Sequence, residues 1–310
     1  MTLDPVVLFF ILGLLAALAK SDLKLPPALY ETLSVFLLIA IGLKGGVALS
    51  KLAGAAVLWQ VASVIVLGAV LTLLAFGLLR LKLGRADAAA TAAHYGSVSV
   101  VTFAVATAYL ARQGVEAEPQ LTVFLAVMEM PALVVGVLLA RLGGERRVNW
   151  ARLGHELFLG KSMVLLIGGL LIGWLAGADG IKSLSPLYID LFKPVLSLFL
   201  LEMGLLTAGK LSGLRKSGVF LVAMALLMPL LFAAIGLGVA MLMGLSVGGA
   251  MLLATLCASA SYIAAPAAMR IAVPEANPAI SLAASLGVTF PFNLLLGIPL
   301  YLWLAQLAYA

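Results

Sequence analysis

Two short stretches inside long apolar runs constrain this chain most: Gly96-Ser97-Val98-Ser99 and Ala258-Ser259-Ala260-Ser261. An uninterrupted apolar helix needs no hydroxyl at all, yet each stretch places two of them two residues apart. Ser97 and Ser259 lie 162 positions apart, as do Ser99 and Ser261, and as do Gly42-Leu43 and Gly204-Leu205. One offset shared by different elements is the mark of an internal repeat. Paired polar interruptions at equivalent points of two halves point to the binding site of a membrane carrier.

The runs around these stretches decide the class. The 310 residues are 64% apolar and 10% charged, with a mean hydropathy of +1.20. A soluble domain carries about a quarter of charged residues, so the chain is an integral membrane protein of many spans. Ten apolar runs are long enough, or nearly so, to cross a bilayer: Val6–Ala19, Pro27–Leu49, Ala55–Leu79, Ala88–Leu110, Leu121–Leu142, Ser162–Ala176, Pro186–Ala208, Gly218–Met243, Gly249–Met269 and Ala279–Ala308. Asp4-Pro5 leads straight into the first run with no basic segment before it, so that run is kept as a span. The expected fold is an all-α membrane protein of ten transmembrane helices in two five-helix repeats, 1–142 and 162–310. Between them, 143–161 forms a cytoplasmic linker carrying an amphipathic helix around Trp150, Leu153, Leu157 and Phe158.

Further matches align the halves. Gly13-Leu14-Leu15 pairs with Gly169-Leu170-Leu171, and Val115 to Pro119 with Pro274 to Pro278. Five spans is an odd number, so the halves cross in opposite directions, which is an inverted-topology repeat. Loop charge orients them. Fourteen basic residues, from Lys20 to Arg270, fall on the side holding the loops after odd-numbered spans, against three (Lys51, Arg112, Lys182) on the other. The first side is therefore cytoplasmic. The expected location is the inner (plasma) membrane, with both termini outside. The net charge of +6 is a topology signal and calls for no nucleic-acid partner.

A helix that unwinds inside the bilayer frees backbone groups that must find partners within the protein. The half-helix that follows offers N–H donors and a partial positive charge. Gly96, Ser97, Ser99 and Thr102, facing Ala258, Ser259, Ser261 and Tyr262, thus form a candidate pocket for a small anion. Glu129, two residues before Pro131, is an ionisable group within a span and a candidate for coupling-ion work with Ser99, Ser261 and, more weakly, Asn293. It could hold Na⁺ among hard oxygens or carry a proton. Lys44 and Glu202 are expected to be structural, as a buried charge pair, and His94 to be a packing residue. The lone Cys257 excludes an intrachain disulfide, and no metal cluster, phosphate loop or hydrolase pattern is present, so neither an enzyme nor a resident cofactor is expected.

At IGLKGG (41–46), the segment from Gly96 to Thr102, MEMPALV (128–134), MRIAVPEANP (269–278) and GIPLYLWLAQ (297–306), the chain resembles the sodium-dependent bicarbonate transporter family. The resemblance implies ten helices in two inverted repeats, a homotrimer, and bicarbonate uptake with Na⁺ at the two broken-helix sites. It departs from the family pattern at Val100 and Val101, in place of a glycine and a serine, and at Tyr262, in place of an aspartate. The missing acid motivates a second expectation, an H⁺-coupled or uncoupled carrier of a small organic anion. A third is a non-transporting membrane sensor with the same fold.

Overall fold

The computed structural model describes residues 5–50, 56–142 and 150–310. Every regular element among them is helical. The helices are α1 (Pro5–Leu18), α2 (Pro27–Leu49), α3 (Ala56–Leu79), α4 (Arg85–Gly96), α5 (Val100–Gln113), α6 (Leu121–Arg141), α7 (Trp150–Leu159), α8 (Lys161–Gly180), α9 (Phe192–Leu242), α10 (Val247–Ala258), α11 (Ala264–Ala272) and α12 (Pro278–Ala308). Among the described residues eight helical segments are long and apolar enough to cross a membrane. The other two expected spans appear as α1, with 14 residues, and as α10 and α11, with 12 and 9 residues on either side of a break. Within the expected linker, α7 is a helix with Leu153 buried and Phe158 exposed, packed against α8 and α11, while residues 143–149 lie outside the described part.

The hydropathy pattern predicts Pro186–Ala208 and Gly218–Met243 as separate spans, and α9 holds two such segments, Phe192–Lys210 and Gly218–Leu242. They are two helices that meet at a kink at Gly218, whose φ of 77° and ψ of 164° suit a residue without Cβ. One element differs from expectation. The last span carries two widened π segments, Ser285–Thr289 and Asn293–Gly297. They lie just ahead of Pro291 and Pro299, whose missing N–H groups remove the ordinary helical bonds.

Burial sorts the helices into a centre and a shell. Nearly all residues of the most apolar stretch of α4–α5 are buried, against about a fifth of those in α8, so the broken helix sits at the centre and α8 faces outward. Lipid tails are as apolar as leucine, so helices in a bilayer associate through close packing of small residues. Gly13 of α1 lies against the Leu201 and Leu205 backbone of α9, and Gly204 of α9 against Phe10 and Gly13 of α1. Gly42 and Gly46 of α2 abut Leu166 and Leu170 of α8, and Gly169 and Gly173 of α8 abut Ile39 and Leu43 of α2. In the centre, Gly136 of α6 lies on Ala93 of α4, and Gly96 lies on Thr72 of α3.

Hydroxyl cross-links then join α4 to α12: Thr91 to Ser281 at 3.0 Å and Tyr95 to Thr289 at 2.6 Å. At the two ends of the molecule, acids tie helix starts to loops. Asp87, near the start of α4, accepts the Asn277 N–H at 2.7 Å. Glu118, before α6, accepts the Ser246 N–H at 2.5 Å at the start of α10. Arg141 bonds Glu275 at 2.7 Å, closing α6 onto the loop after α11.

A side chain at Gly46 or Gly204 would strike backbone, which cannot swing aside. Gly46→Leu and Gly204→Leu are each expected to cost about 1–3 kcal/mol. Thermal unfolding in detergent should register the loss. Gly168→Leu, on the open face of α8, should leave the midpoint at the wild-type value, and equal losses in all three would refute the packing account.

Candidate functional site

Both serine stretches are breaks, and the two breaks meet. Helix α4 stops at Gly96, and Ser97 continues extended (φ −83°, ψ 178°). Helix α10 stops at Ala258, and Ser259 continues in nearly the same conformation (φ −81°, ψ 169°). After three residues Ser99 caps α5, its Oγ accepting the Thr102 N–H at 3.1 Å. On the other side Ser261 Oγ accepts the Ala265 N–H at 3.1 Å at the start of α11.

The segments satisfy each other's freed backbone. Ser99 donates its N–H to Ser259 Oγ at 2.9 Å, and Ser261 donates its N–H to the His94 carbonyl at 2.8 Å. Ser259 Oγ in turn donates to the Leu256 carbonyl at 2.8 Å. Ser99 Oγ also accepts the Thr102 hydroxyl at 2.9 Å and donates to the Tyr262 hydroxyl at 3.1 Å. Tyr262 packs edge-on against Phe290 with ring centroids 5.2 Å apart, and Phe290 against Phe10 at 5.5 Å, which ties the second break to α12 and α1.

A cavity opens where α5 and α11 begin. It is lined by Val98 to Val101, Ser261 to Ala264, Glu129, Ser34, Ser162 and Phe199, and its volume of about 20 Å³ holds about one water. First-turn amides of a helix have no intrahelical acceptor. The starts of α5 and α11 therefore bring N–H donors and two positive dipole ends to one small space. Glu129 is 6% exposed and has no hydrogen-bond or ion-pair partner among the described residues. A second cavity of about 160 Å³ shares Glu129, Ser162, Ile263 and Ala264 with the first and extends to Gly160 and Lys161 at the start of α8. A third, of about 340 Å³, lies toward the other end of α5, with Lys44, Thr107 and Phe192 in its wall, and shares no residue with the first.

Ser99, Ser261, Tyr262 and Glu129 thus come together at one cavity, with Thr102 directly behind Ser99. The remaining candidates sit elsewhere. Gly96 packs on Thr72, Ser97 is buried with its hydroxyl unpartnered, and Ser259 spends its hydroxyl on backbone. Asn293 does not line the cavity. Its Nδ2 donates to the Ala258 carbonyl at 2.9 Å, satisfying the end of α10, and its Oδ1 accepts the Tyr301 hydroxyl at 2.7 Å. Lys44 and Glu202 form no pair: the Lys44 ammonium lies 3.9 Å from the Phe192 ring centroid, and Glu202 Oε2 is buried without a partner. A cation–π contact at a cavity wall keeps the lysine partly wet, which a buried pair would not.

Sequence reasoning missed Ser34, Ser162 and Phe199 in the cavity wall. Ser162 carried a readable signal, a hydroxyl in the first turn of a span that follows Gly160-Lys161. Ser34 carried none, because its hydroxyl bonds back to the Tyr30 carbonyl as serines in apolar helices commonly do.

No curated protein matches the chain. Residues 5–306 match the family model described as the Na⁺-dependent bicarbonate transporter superfamily. That is a family of transporters and not of enzymes. With nearly its whole length matched, the chain belongs to the Na⁺-dependent bicarbonate transporter superfamily.

Proposed function

We propose that the protein is a secondary active transporter that takes up bicarbonate, or a similar small anion, together with Na⁺ by alternating access. The observation that carries the reading is the meeting of two half-helix starts, α5 and α11, at one small cavity beside Glu129. Two dipole ends and several free amides favour a monovalent oxyanion and need no full positive charge, so the anion can still leave. Ser99 and Ser261 hold the first turns of the half-helices in place. Glu129, with no partner of its own, supplies the negative charge that a co-transported cation needs, and the two opposite charges reduce each other's desolvation cost.

An inverted repeat of ten spans supports the mechanism. Gly13 and Gly169 are equivalent in the two halves, as are Gly42 and Gly204, and the contacts pair each with the other half: Gly13 with Gly204, Gly169 with Gly42. Glu118 corresponds to Asn277, and each holds the start of the other half's broken helix, at Ser246 and Asp87. Such exchange of equivalent contacts is what a two-fold axis in the membrane plane produces. The basic loops put the Lys161 cavity on the cytoplasmic side and both termini outside, in the plasma membrane. The expected assembly is a homotrimer.

In proteoliposomes an inward Na⁺ gradient is expected to drive labelled bicarbonate uptake. Ser99→Ala combined with Ser261→Ala removes the α5 cap and the Ser261 bond to the first turn of α11, about 1 kcal/mol each, and should lower uptake by about tenfold or more. Wild-type rates in a well-folded double variant would sink the site.

Tyr262 favours one rival in detail. It leaves Glu129 as the carboxylate at this cavity, and a lone buried carboxylate suits a proton as well as Na⁺. Glu129→Gln is expected to abolish Na⁺ stimulation of uptake. Were the wild type indifferent to Na⁺ but driven by a pH gradient, and the variant indifferent to both, the coupling ion would be H⁺.

A further inference from the structure

The two halves match in backbone at their breaks but not in hydrogen bonding. Ser97 is equivalent to Ser259, Ser99 to Ser261, and His94 to Leu256. In the second half Ser259 Oγ accepts the partner serine's N–H, from Ser99, and donates to the Leu256 carbonyl one turn back. The equivalent arrangement in the first half would have Ser97 Oγ accept the Ser261 N–H and donate to the His94 carbonyl. Instead the Ser261 N–H goes directly to the His94 carbonyl at 2.8 Å, and Ser97 Oγ is left without a partner at 1% exposure. Leaving a buried hydroxyl unbonded is costly, and such groups are rare in native structures.

A second asymmetry runs alongside. The cavity at the serines shares Glu129, Ser162, Ile263 and Ala264 with the cavity toward Lys161, and shares nothing with the larger cavity around Lys44 at the other end of α5. Among the described residues the serine cavity is therefore joined to the Lys161 side and not to the Lys44 cavity. A two-fold axis in the membrane plane turns an arrangement open to one side into one open to the other when the halves exchange conformations. The same exchange carries the hydrogen bonds with it.

We infer that Ser97 is a positioning residue for the opposite access state. This rests on the carrier reading above. In that state the Ser261 N–H leaves the His94 carbonyl for Ser97 Oγ, and Ser97 donates to the freed carbonyl. The Ser99 N–H moves from Ser259 Oγ to the Leu256 carbonyl, and Ser259 becomes the unbonded hydroxyl. In each state one of Ser97 and Ser259 is thus satisfied and the other idle, the idle one marking the side that is open. The bond count is equal in both states, so the serines leave the equilibrium near balance and the substrates decide it.

The test reads which side is open. The chain has one cysteine, Cys257, buried at 1%, so a reporter can be added without background. Ala267→Cys places a thiol in the wall of the Lys161 cavity, and Ala48→Cys one in the wall of the Lys44 cavity. Labelling by a membrane-impermeant maleimide, applied to each face of membrane vesicles, gives the ratio of the two states. Ser97→Ala removes a bond only in the opposite state and should raise the Ala267→Cys to Ala48→Cys labelling ratio by roughly three- to tenfold, the worth of one hydrogen bond. Ser259→Ala should lower it by a similar factor. Ser97→Ala should also leave the thermal midpoint unchanged, since it loses no bond in the state joined to the Lys161 side.

A ratio moved the same way by both variants, or by neither, would overturn the inference. So would a lowered midpoint in Ser97→Ala, which would mean that the hydroxyl is already bonded. Bicarbonate uptake by the wild type is measured in the same vesicles. If uptake is present and the ratio does not move, this inference fails alone, and if the wild type carries no anion, the carrier reading fails first.

Discussion

Water is absent from the bilayer core, so a helix can be interrupted there only where other protein groups take up the amides and carbonyls it releases. This chain meets that constraint by interrupting two helices at one place. The Ser99 N–H finds a hydroxyl on the other break, the Ser261 N–H finds a carbonyl on the other broken helix, and the Ala258 carbonyl finds Asn293. Either break alone would leave at least one amide without an acceptor, at a cost of about 1–3 kcal/mol. The pair is therefore a single structural unit, although 160 residues of chain separate the bonded partners. The other elements serve to bring these two points together and hold them.

That holding is done almost without charge. The centre is built from the alanines of α4, Gly136 of α6 and hydroxyls that bond across to α12, while the glycines of α2 and α8 close those two helices onto each other around it. Small residues allow backbones to approach closely enough for dispersion to replace the hydrophobic effect, which has little force between helices in lipid. Close packing has a second consequence. The cavity between the half-helix starts is narrow because the surrounding helices cannot yield locally, so the alternating access proposed above would have to move whole helices together. The Phe10–Phe290–Tyr262 stack links such a movement to the site, since Tyr262 also holds the Ser99 hydroxyl.

The breaks are legible in the sequence because a bilayer penalises idle hydroxyls. Two serine pairs at one offset in otherwise apolar runs mark a shared interruption, and both helices do stop there. Individual roles are less legible. Ser97 and Ser99 look alike in sequence, yet Ser99 lines the cavity and Ser97 is buried away from it, and their i, i+2 spacing gives no sign of that difference. Asn293 is readable as a polar residue at a proline, but its partner, the last carbonyl of α10, lies 35 residues away. The π segments that aim it arise from prolines whose effect depends on what the widened turn meets. The division of α9 is legible, because polar residues between its two arms mark a membrane boundary and the chain turns at Gly218.

The hydrogen-bond inventory also bears on what an anion could touch. Ser99 Oγ already accepts two hydrogen bonds and donates one, and Ser261 Oγ accepts the Ala265 N–H. A hydroxyl so engaged can offer little to a ligand without releasing a helix cap. The donors still unspent at the cavity are first-turn amides of α5 and α11 other than those of Thr102 and Ala265. Recognition would then rest on backbone geometry more than on side-chain identity. On that view the serines matter for what they hold open, and Val100 and Val101 give the cavity an apolar wall while leaving the amides of those positions in place.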